Sequence, residues 1–430
     1  MSSRSWISAW LLAAQLGFAV AAAGPDFSAE ARLWRQQLGE RVLPYWFDTA
    51  IDWTRGGYAL ADDAVRGRGT PEEKQIVTQA RMVWGFSLAH RKGFSTSGRD
   101  YLKAATHGVK FLREHLRDRE HGGYFWSVAP DGTVRDPRKR LYGEAFVIYG
   151  LVEFHRAGGG TEALADALQL FREIQRHAHD GKAGGWHEHF ERNWQPLPAK
   201  SPAAIVEVAG YKSANTHLHL MEAFTELYAE TKDREVKRAL EEALDLNRRH
   251  FYPADAARSA FHFQPDWQPV TDAGSAGLSY GHNVEFAWLM VRAEKTLGRQ
   301  PSWEHFHAHL RHTLRNGTDP IRGGIYNRGV GNEPAHDTQK VWWAQAEMLA
   351  ALTDGLRHQP ADAAYADALG KLILWCNTRQ TDPKSGIWLD TVTADGAPKS
   401  AGLAHNWKAN YHDVRGMLKF VEQFEIRGRP

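Results

Sequence analysis

The amino-acid sequence predicts an all-α protein, specifically an (α/α)6 barrel of about twelve helices with short β-hairpin turns at one mouth. Three observations lead to this fold class. A glycine–aromatic turn recurs along the chain, and the segments between the turns carry apolar residues at three- and four-residue spacing. These segments are also rich in Ala, Leu, Glu, Lys and Arg, which favour helices.

The turns recur roughly every 65 residues, with one interval of about double that length. They are Gly56-Gly57-Tyr58, Gly122-Gly123-Tyr124, Gly184-Gly185-Trp186, Gly323-Gly324-Ile325-Tyr326 and Gly386-Ile387-Trp388. The doubled interval leaves room for a sixth copy near Phe261-His262-Phe263, where aromatic residues occur without the glycines. Glycine permits positive φ, which lets the chain reverse and return an aromatic side chain to one mouth of a barrel. Six repeating units are therefore expected.

Helical periodicity is strong between the turns, and short strand-like alternation is confined to their surroundings. The predicted helices cover residues 78–92, 101–117, 142–156, 161–177, 214–231, 234–250, 283–297, 302–315, 338–357, 362–378 and 410–426. About two helices in each unit match a double ring. A closed barrel is favoured over an open solenoid, which would need polar capping faces at both ends.

Composition excludes several classes of function. The net charge is +2, and no basic run is long enough to indicate nucleic-acid binding. Cys376 is the one cysteine; it cannot form an internal disulfide and is predicted to be a buried packing residue. There is no G-x-S-x-G elbow, Walker loop or H-E-x-x-H motif. We expect a monomer or weak homodimer that requires no metal or organic cofactor.

Residues 1–23 have the order of a secretory signal peptide: Arg4, an apolar stretch, then a run of alanines before Gly24-Pro25. The apolar stretch is short for a membrane span. The sequence therefore predicts an exported protein, periplasmic or secreted, with residues 24–430 as a single catalytic domain and no membrane segment in the mature form.

Four polar clusters lie on predicted helices or at their starts. The first contains Arg81 among apolar neighbours, where a charge must be paired or face a polar cavity. In the second, Asn215, His219 and Glu222 share one helix face, whereas His217 faces elsewhere and is interpreted as structural. Histidines two residues apart do not converge on a helix, so no metal site is predicted.

The third cluster places His282 in the first turn of a helix with Glu285 one turn later, and we expect this carboxylate to lie beside the imidazole and raise its basicity. The fourth, from Trp407 to His412, opens the last helix. Another group of histidines scatters around one helix and is interpreted as a solvated face. Its members are His305, His307, His309 and His312.

Histidines from different units suit one chemistry well. Removing a proton next to a carbonyl needs a base with a pKa near neutrality, and inversion needs groups on opposite faces of a planar enediolate. Arginine and asparagine could hold the oxyanion. The 17 tryptophans, concentrated in turns and at helix starts, favour a sugar cleft. A glycoside hydrolase remains an alternative because candidate carboxylates are present: Glu207, Glu222, Glu285, Asp337 and Glu347.

At these clusters the sequence resembles the N-acylglucosamine 2-epimerase superfamily, most closely its cellobiose 2-epimerase branch. The matching stretches are residues 79–81, 141–143, 215–222, 279–285, 340–347 and 407–412. The most specific are the runs Ser-Tyr-Gly-His-x-x-Glu and Trp-Trp-x-Gln-Ala-Glu. The chain departs from the branch at Ala409-Asn410, at Phe286 and in its predicted export, which leaves a disaccharide, a manno-oligosaccharide or a monosaccharide open as substrate.

The resemblance implies a cofactor-independent 2-epimerase that interconverts glucose-type and mannose-type reducing ends. It implies that His282 and His412 are the proton-transfer pair and that Arg81, Asn215, His219 and Glu285 surround C1 and C2. It also implies that Tyr142, Trp343 and Trp407 contact the sugar. An aldose–ketose isomerase of the same superfamily is the alternative, and a carbohydrate-binding protein with an inactive barrel is the alternative from another class.

Overall fold

The computed structural model describes residues 25–270 and 277–425 and contains two concentric rings of helices. The inner ring consists of α3 (Ile76–Arg91), α5 (Leu141–Arg156), α7 (Ala214–Thr231), α9 (Tyr280–Thr296), α11 (Trp342–His358) and α13 (His412–Glu425). The outer ring consists of α1 (Ser28–Gln37), α2 (Leu43–Ala50), α4 (Tyr101–Phe111), α6 (Thr161–His177), α8 (Arg234–Leu246), α10 (Trp303–Asn316) and α12 (Ala363–Trp375). Helices α1 and α2 are joined by a π-helical turn and act as one outer member. The (α/α)6 prediction is confirmed.

The spacing of apolar residues did not predict the α1–α2 segment as a helix. Its buried residues include Trp34, Leu38, Val42 and Trp46, which would suit a helix. The π-helical turn Leu38–Val42 adds a residue to the turn and shifts the apolar face, and Pro44 follows directly. The eleven predicted helices are all present, and the largest difference in their ends, at the end of α4, occurs where a π-helical turn prolongs an outer helix.

Successive inner helices pack against one another around the ring. Glycine allows the closest approaches: a Cβ at Gly150 of α5 would lie 2.8 Å from the Ala80 carbonyl oxygen of α3. The ring closes where α3 meets the start of α13, with the Trp84 and Tyr411 ring centroids 5.1 Å apart. Every residue of α5 from Leu141 to Phe154 is buried, as a helix enclosed by a second ring requires.

Fifteen short strands, counted over the described residues, lie at one mouth of the barrel. They are β1 (Asp62–Asp63), β2 (Gly67–Arg68), β3 (Lys74–Gln75), β4 (Ser127–Val128), β5 (Val134–Asp136), β6 (Lys139–Arg140), β7 (His189–Phe190), β8 (Lys212–Ser213), β9 (His262–Phe263), β10 (Leu278–Ser279), β11 (Arg328–Gly329), β12 (Lys340–Val341), β13 (Thr391–Val392), β14 (Pro398–Ser400) and β15 (Gly402–Ala404).

The strand before each inner helix pairs with a strand of the next unit, through β3–β4, β6–β7, β8–β9, β10–β11 and β12–β13. The sixth link, β15–β1, joins the last unit to the first. Strand β9 occupies the place of the sixth turn copy, in agreement with the prediction, and a 3-10 turn (Ala256–Arg258) stands where the other units have glycines.

A buried lysine precedes the inner helix in most units and binds the aspartate that begins the glycine turn. The pairs are Lys74–Asp52, Lys139–Asp118, Lys212–Asp180 and Lys340–Asp319, at 2.8–3.0 Å between Nζ and Oδ2. The turn is further held by the following inner helix; in the third unit His217 Nε2 accepts the Trp186 backbone N–H at 3.3 Å. The structural interpretation of His217 is thereby confirmed.

The interpretation of the α10 histidines as a solvated face is wrong. All four are buried, with exposed fractions between 0% and 6%. His305, His309 and His312 bond through Nε2 to the carbonyl oxygens of Tyr252, Pro253 and Gly331 at 2.8–2.9 Å, and His307 bonds to the Tyr365 hydroxyl. Their imidazoles donate hydrogen bonds to loop carbonyls that pack beneath the outer helix. Buried carbonyls need such donors, but the helical spacing of the histidines does not show which loops lie beside them.

Cys376 is fully buried, as predicted. Among the described helices, none is long and apolar enough to cross a membrane. The predicted signal peptide, residues 1–23, lies outside the described residues.

Candidate active site

A cavity of ≈ 210 Å³ opens at the mouth that carries the strands, where the inner helices begin. All nine predicted site residues line it, together with Trp342; the nine are Arg81, Tyr142, Asn215, His219, His282, Glu285, Trp343, Trp407 and His412. These residues come from six inner helices or the segments that lead into them. The closed ring thus converts six separate sequence clusters into one pocket.

His412 is the first residue of α13 and is fixed by a carboxylate. Its Nδ1 lies 2.6 Å from Glu347 Oε1 of α11. Burial would raise the pKa of Glu347, but the Arg415 guanidinium and His412 lower it to about 2, so this carboxylate is ionised and only accepts hydrogen bonds. Nδ1 therefore carries the proton, and the Nε2 lone pair is left for the pocket. Burial lowers the pKa of His412 to about 3, which keeps the imidazole neutral.

His219 repeats this arrangement on α7. Its Nδ1 lies 2.8 Å from Glu222 Oε2, three residues along the same helix, as the predicted shared face requires. Burial opposes ionisation of Glu222, but Arg415 and His219 lower its pKa, so Nδ1 again donates. Burial lowers the pKa of His219 as well. The pocket therefore holds two neutral imidazoles whose Nε2 atoms are acceptors.

His282 differs, and the expected pairing with Glu285 is wrong. Its Nδ1 lies 2.9 Å from Ser279 Oγ and its Nε2 lies 3.2 Å from Asn215 Oδ1. Because the Asn215 amide donates to Glu207 at 3.1 Å, its oxygen faces the imidazole, and Nε2 carries the proton. Burial, followed by the neighbouring His219, lowers the pKa of His282 well below its usual value. Glu285 points instead toward the Arg415 side of the pocket floor.

Arg415, three residues after His412, joins the carboxylates beneath the pocket. Its Nη2 donates to Glu285 Oε1 at 2.8 Å and to Glu347 Oε1 at 2.7 Å, and its Nη1 donates to Glu222. Burial and the nearby Glu347 carboxylate raise the pKa of Glu285 well above its usual value, so that side chain is neutral. One buried guanidinium thus donates to both carboxylates that orient His219 and His412 and offsets part of their negative charge.

Arg81, from the middle of α3, provides the second buried cation. Its Nη2 donates to the Tyr142 hydroxyl at 2.8 Å and its Nη1 to the Trp407 carbonyl at 3.2 Å. The guanidinium lies over the Phe146 ring, 4.1 Å from the centroid, while no partner among the described atoms accepts from its Nε. A buried cation held by neutral partners is arranged to stabilise an anion.

Aromatic side chains form the walls. The Trp343 ring lies between two catalytic candidates, with centroid distances of 4.6 Å to His282 and 5.8 Å to His412. Tyr142 and Trp407 form the opposite wall at 6.5 Å from one another. Flat rings around convergent polar groups are typical of sugar sites.

Among the residues that the structure describes, two groups of donor atoms are as close together as metal ligands, namely His219–Glu222–Glu285 and Glu285–Glu347–His412, and both are buried. The Arg415 guanidinium already donates to all three carboxylates in these groups. A divalent cation would have to displace that guanidinium, which would leave a buried cation without its partners, or lie beside it, which would bring two positive charges together in a site of low dielectric.

Sequence reasoning missed Arg415 and did not assign Glu347 to His412. The sequence does contain a signal for Arg415, because it follows His412 by three residues and therefore shares its helix face. Glu347 lies on a different helix, and only the packing of α11 against α13 brings the two side chains together.

Comparison with known proteins identifies the family of the chain. Residues 57–415 match the family model for N-acylglucosamine 2-epimerase (GlcNAc 2-epimerase). The chain is 30% identical to a cellobiose 2-epimerase of Bacteroides fragilis over 401 residues, which cover 90% of this chain and 97% of that protein. It is also 30% identical to a D-mannose isomerase of Thermobifida fusca over 407 residues, covering 89% and 92%.

The solved structure of a cellobiose 2-epimerase from Spirochaeta thermophila superposes with a TM-score of 0.82 at 29% identity, covering 93% of this chain and 98% of that one. Family model, relatives and fold coincide over nearly the whole described chain. The chain belongs to the N-acylglucosamine 2-epimerase family and is an isomerase-class enzyme.

Proposed function

We propose that the protein is a cofactor-independent 2-epimerase that interconverts glucose-type and mannose-type reducing ends of a saccharide. The observation that carries this proposal is the convergence of three neutral imidazoles and one buried arginine on a single cavity of ≈ 210 Å³. Removal of the proton at C2, next to the open-chain carbonyl, requires a neutral base and a group that stabilises the resulting anion.

In this mechanism His412 and His282 serve opposite faces of C2. One histidine takes the C2 proton as a neutral base, and the other, which takes up a proton from solvent when the sugar binds, returns a proton to the opposite face of the enediolate. His412 is suited to the base role, because its Nδ1–H donates to Glu347 and its Nε2 is free to accept. Burial disfavours the imidazolium of His282, whereas negative charge developing on the bound sugar would favour it.

The remaining polar residues hold the oxygens on C1 and C2. Arg81 and the Tyr142 hydroxyl, 2.8 Å apart, form one donor group for the developing oxyanion. His219, anchored to Glu222, accepts a hydroxyl proton during ring opening, and Asn215 keeps His282 oriented. Trp343 and Trp407 exclude water from the enediolate.

Incubation with glucose, mannose and cellobiose in deuterium oxide, followed by NMR, tests the proposal. We expect the 2-epimer of at least one sugar to form with deuterium at C2, and His412→Asn and His282→Asn to abolish the exchange. A ketose without 2-epimer would overturn the epimerase in favour of an aldose–ketose isomerase, the second candidate, which the identity to the D-mannose isomerase supports. Chain-shortened products would indicate a hydrolase, and binding without turnover would indicate a sugar-binding protein.

We also propose that residues 1–23 are a signal peptide and that residues 24–430 act as one exported domain, a monomer or weak homodimer. The charge, apolar and small-residue order of the first 23 residues supports export. N-terminal sequencing of the mature protein from a periplasmic or culture fraction tests it, and size-exclusion chromatography tests the oligomeric state.

A further inference from the structure

Tyr411 lies beneath the catalytic pocket and has no part in the mechanism above. It directly precedes His412, is fully buried and does not line the cavity. We propose that Tyr411 is a positioning residue, whose hydroxyl fixes the Glu222 carboxylate so that His219 keeps its Nε2 lone pair toward the sugar. This inference rests on the proposed function and adds a third member to the His219–Glu222 pair.

The Tyr411 hydroxyl forms hydrogen bonds in both directions. It donates to Glu222, with distances of 2.8 Å to Oε1 and 3.0 Å to Oε2, and it accepts from Arg415 Nη1. Arg415 Nη1 also donates to Glu222 Oε1. Because two donors converge on Oε1, the carboxylate is held with its Oε2 toward His219 Nδ1, 2.8 Å away. The phenol, the guanidinium and the imidazole together determine the plane of this carboxylate.

Burial ensures that the hydroxyl acts as a donor. It raises the pKa of Tyr411 well above its usual value, so the phenol keeps its proton at neutral pH. Burial would also raise the pKa of Glu222, but Arg415 and His219 lower it, and this carboxylate is ionised. A hydrogen bond to an ionised acceptor is stronger than one between neutral groups. Its loss would leave the carboxylate to a guanidinium that also donates to two other acids.

The aromatic ring of Tyr411 is fixed independently of its hydroxyl. It contacts both buried guanidinium groups, with Cζ of Arg81 4.9 Å and Cζ of Arg415 4.4 Å from its centroid. The rings of Trp84 and Phe146 meet it nearly at right angles, at 80° and 86°. These cation–π and edge contacts do not involve the hydroxyl. Replacement by phenylalanine should therefore remove the hydroxyl and keep the ring in place.

The hydroxyl acts on only one of the two carboxylate–histidine pairs. It donates to Glu222, whereas His412 is anchored by Glu347 on another helix. None of the described hydrogen bonds joins the Tyr411 hydroxyl to Glu347. Loss of the hydroxyl should therefore act through His219 and leave the other pair intact.

Tyr411→Phe is the test variant, and Tyr58→Phe is the matched control. Tyr58 is also fully buried, and its hydroxyl donates to the Ala104 carbonyl oxygen at 2.8 Å, outside the catalytic pocket. Each substitution deletes one buried hydroxyl and keeps the ring. Circular dichroism and urea unfolding check that both variants fold, and both should be less stable than the unsubstituted protein. Only Tyr411→Phe should change catalysis.

Kinetics separate a positioning role from a structural one. Tyr411→Phe should lower kcat for 2-epimer formation by about tenfold, the effect of losing one hydrogen bond to a charged group. KM should stay unchanged, because Tyr411 does not line the cavity. In a His219→Asn background the same substitution should cause no further loss, since the residue that it positions is gone. An equal loss in both backgrounds, or a kcat equal to that of Tyr58→Phe, would overturn the inference.

An NMR measurement separates this inference from the proposed function. In protein with isotope-labelled histidine, the Nδ1–H of His219 is assigned as the resonance that disappears in His219→Asn. We expect this resonance to shift and to exchange faster with water in Tyr411→Phe, and to stay unchanged in Tyr58→Phe. That result supports the positioning role even if no sugar is epimerised. An unchanged resonance in Tyr411→Phe refutes the role even if the protein is a 2-epimerase.

Discussion

The Glu347→Gln substitution tests the chemical core of the site with a change of one atom. Glu347 Oε1 accepts from His412 at 2.6 Å and from Arg415 at 2.7 Å, and its Oε2 accepts from the Trp288 indole at 3.0 Å. An amide can accept on one side only. With its oxygen toward His412 and Arg415, its NH₂ group meets the Trp288 N–H, and two donors face each other.

The magnitude follows from these contacts. In the variant a neutral acceptor replaces the carboxylate beside His412, so the imidazolium formed on proton abstraction loses about 1.5–3 kcal/mol of stabilisation. That loss corresponds to a fall in kcat of about 10- to 150-fold. The unpaired Trp288 N–H adds a stability cost of about 1–3 kcal/mol. KM should change little, because Glu347 is 1% exposed and lies behind His412.

The assay is the rate of 2-epimer formation, with deuterium uptake at C2 and urea unfolding measured on the same preparations. Glu226→Gln is the matched control, since that buried carboxylate binds Arg292 and Arg156 and does not line the pocket. The control should lose stability and keep its kcat. If Glu347→Gln retained the kcat of the unsubstituted protein while folded, His412 would not depend on this carboxylate, and the assigned tautomer would be wrong.

Three further predictions concern stability. Arg415→Met leaves two ionised carboxylates buried without the cation that binds them, so the free energy of unfolding measured by urea titration should fall by about 3–5 kcal/mol. A fall below about 1 kcal/mol would contradict the role of Arg415 as their counter-ion. Gly85→Ala places a Cβ against the backbone oxygen of Asn410, so thermal unfolding should occur at a clearly lower temperature, unlike Gly98→Ala in open space. Burial lowers the pKa of His309 and His412 to about 3, so only the unfolded chain takes up their protons as the pH falls below 6.5. The unfolding free energy should therefore fall by about 1.2 kcal/mol per histidine between pH 6 and pH 5, and equal stability at these two pH values would refute the buried neutral state.

Much of the fold follows from local information. Glycine turns and helical periodicity are properties of neighbouring residues, so the six units and eleven helices could be predicted. Helix α1–α2 could not, because the π-helical turn at Leu38–Val42 interrupts the periodicity on which the prediction depends. The burial of His309 depends on the Pro253 carbonyl of a distant loop, which no local pattern contains.

The candidate site divides in the same way. Asn215, His219 and Glu222 share one face at helical spacing, and the structure keeps the two ionisable side chains in contact. The same spacing rule failed for His282 and Glu285, because a third group, Arg415, binds the carboxylate from across the ring. Spacing identifies which side chains can meet, whereas competing partners from other helices decide which of them do.

The position of Arg415 in the last inner helix has a consequence for biosynthesis. The carboxylates that it binds belong to α7, α9 and α11, all of which leave the ribosome earlier. Until α13 arrives, the ionised Glu222 and Glu347 face an interior without the guanidinium that binds them. A nascent chain lacking its final segment should therefore remain loosely assembled, and catalytic competence should appear only on completion of the C-terminal helix.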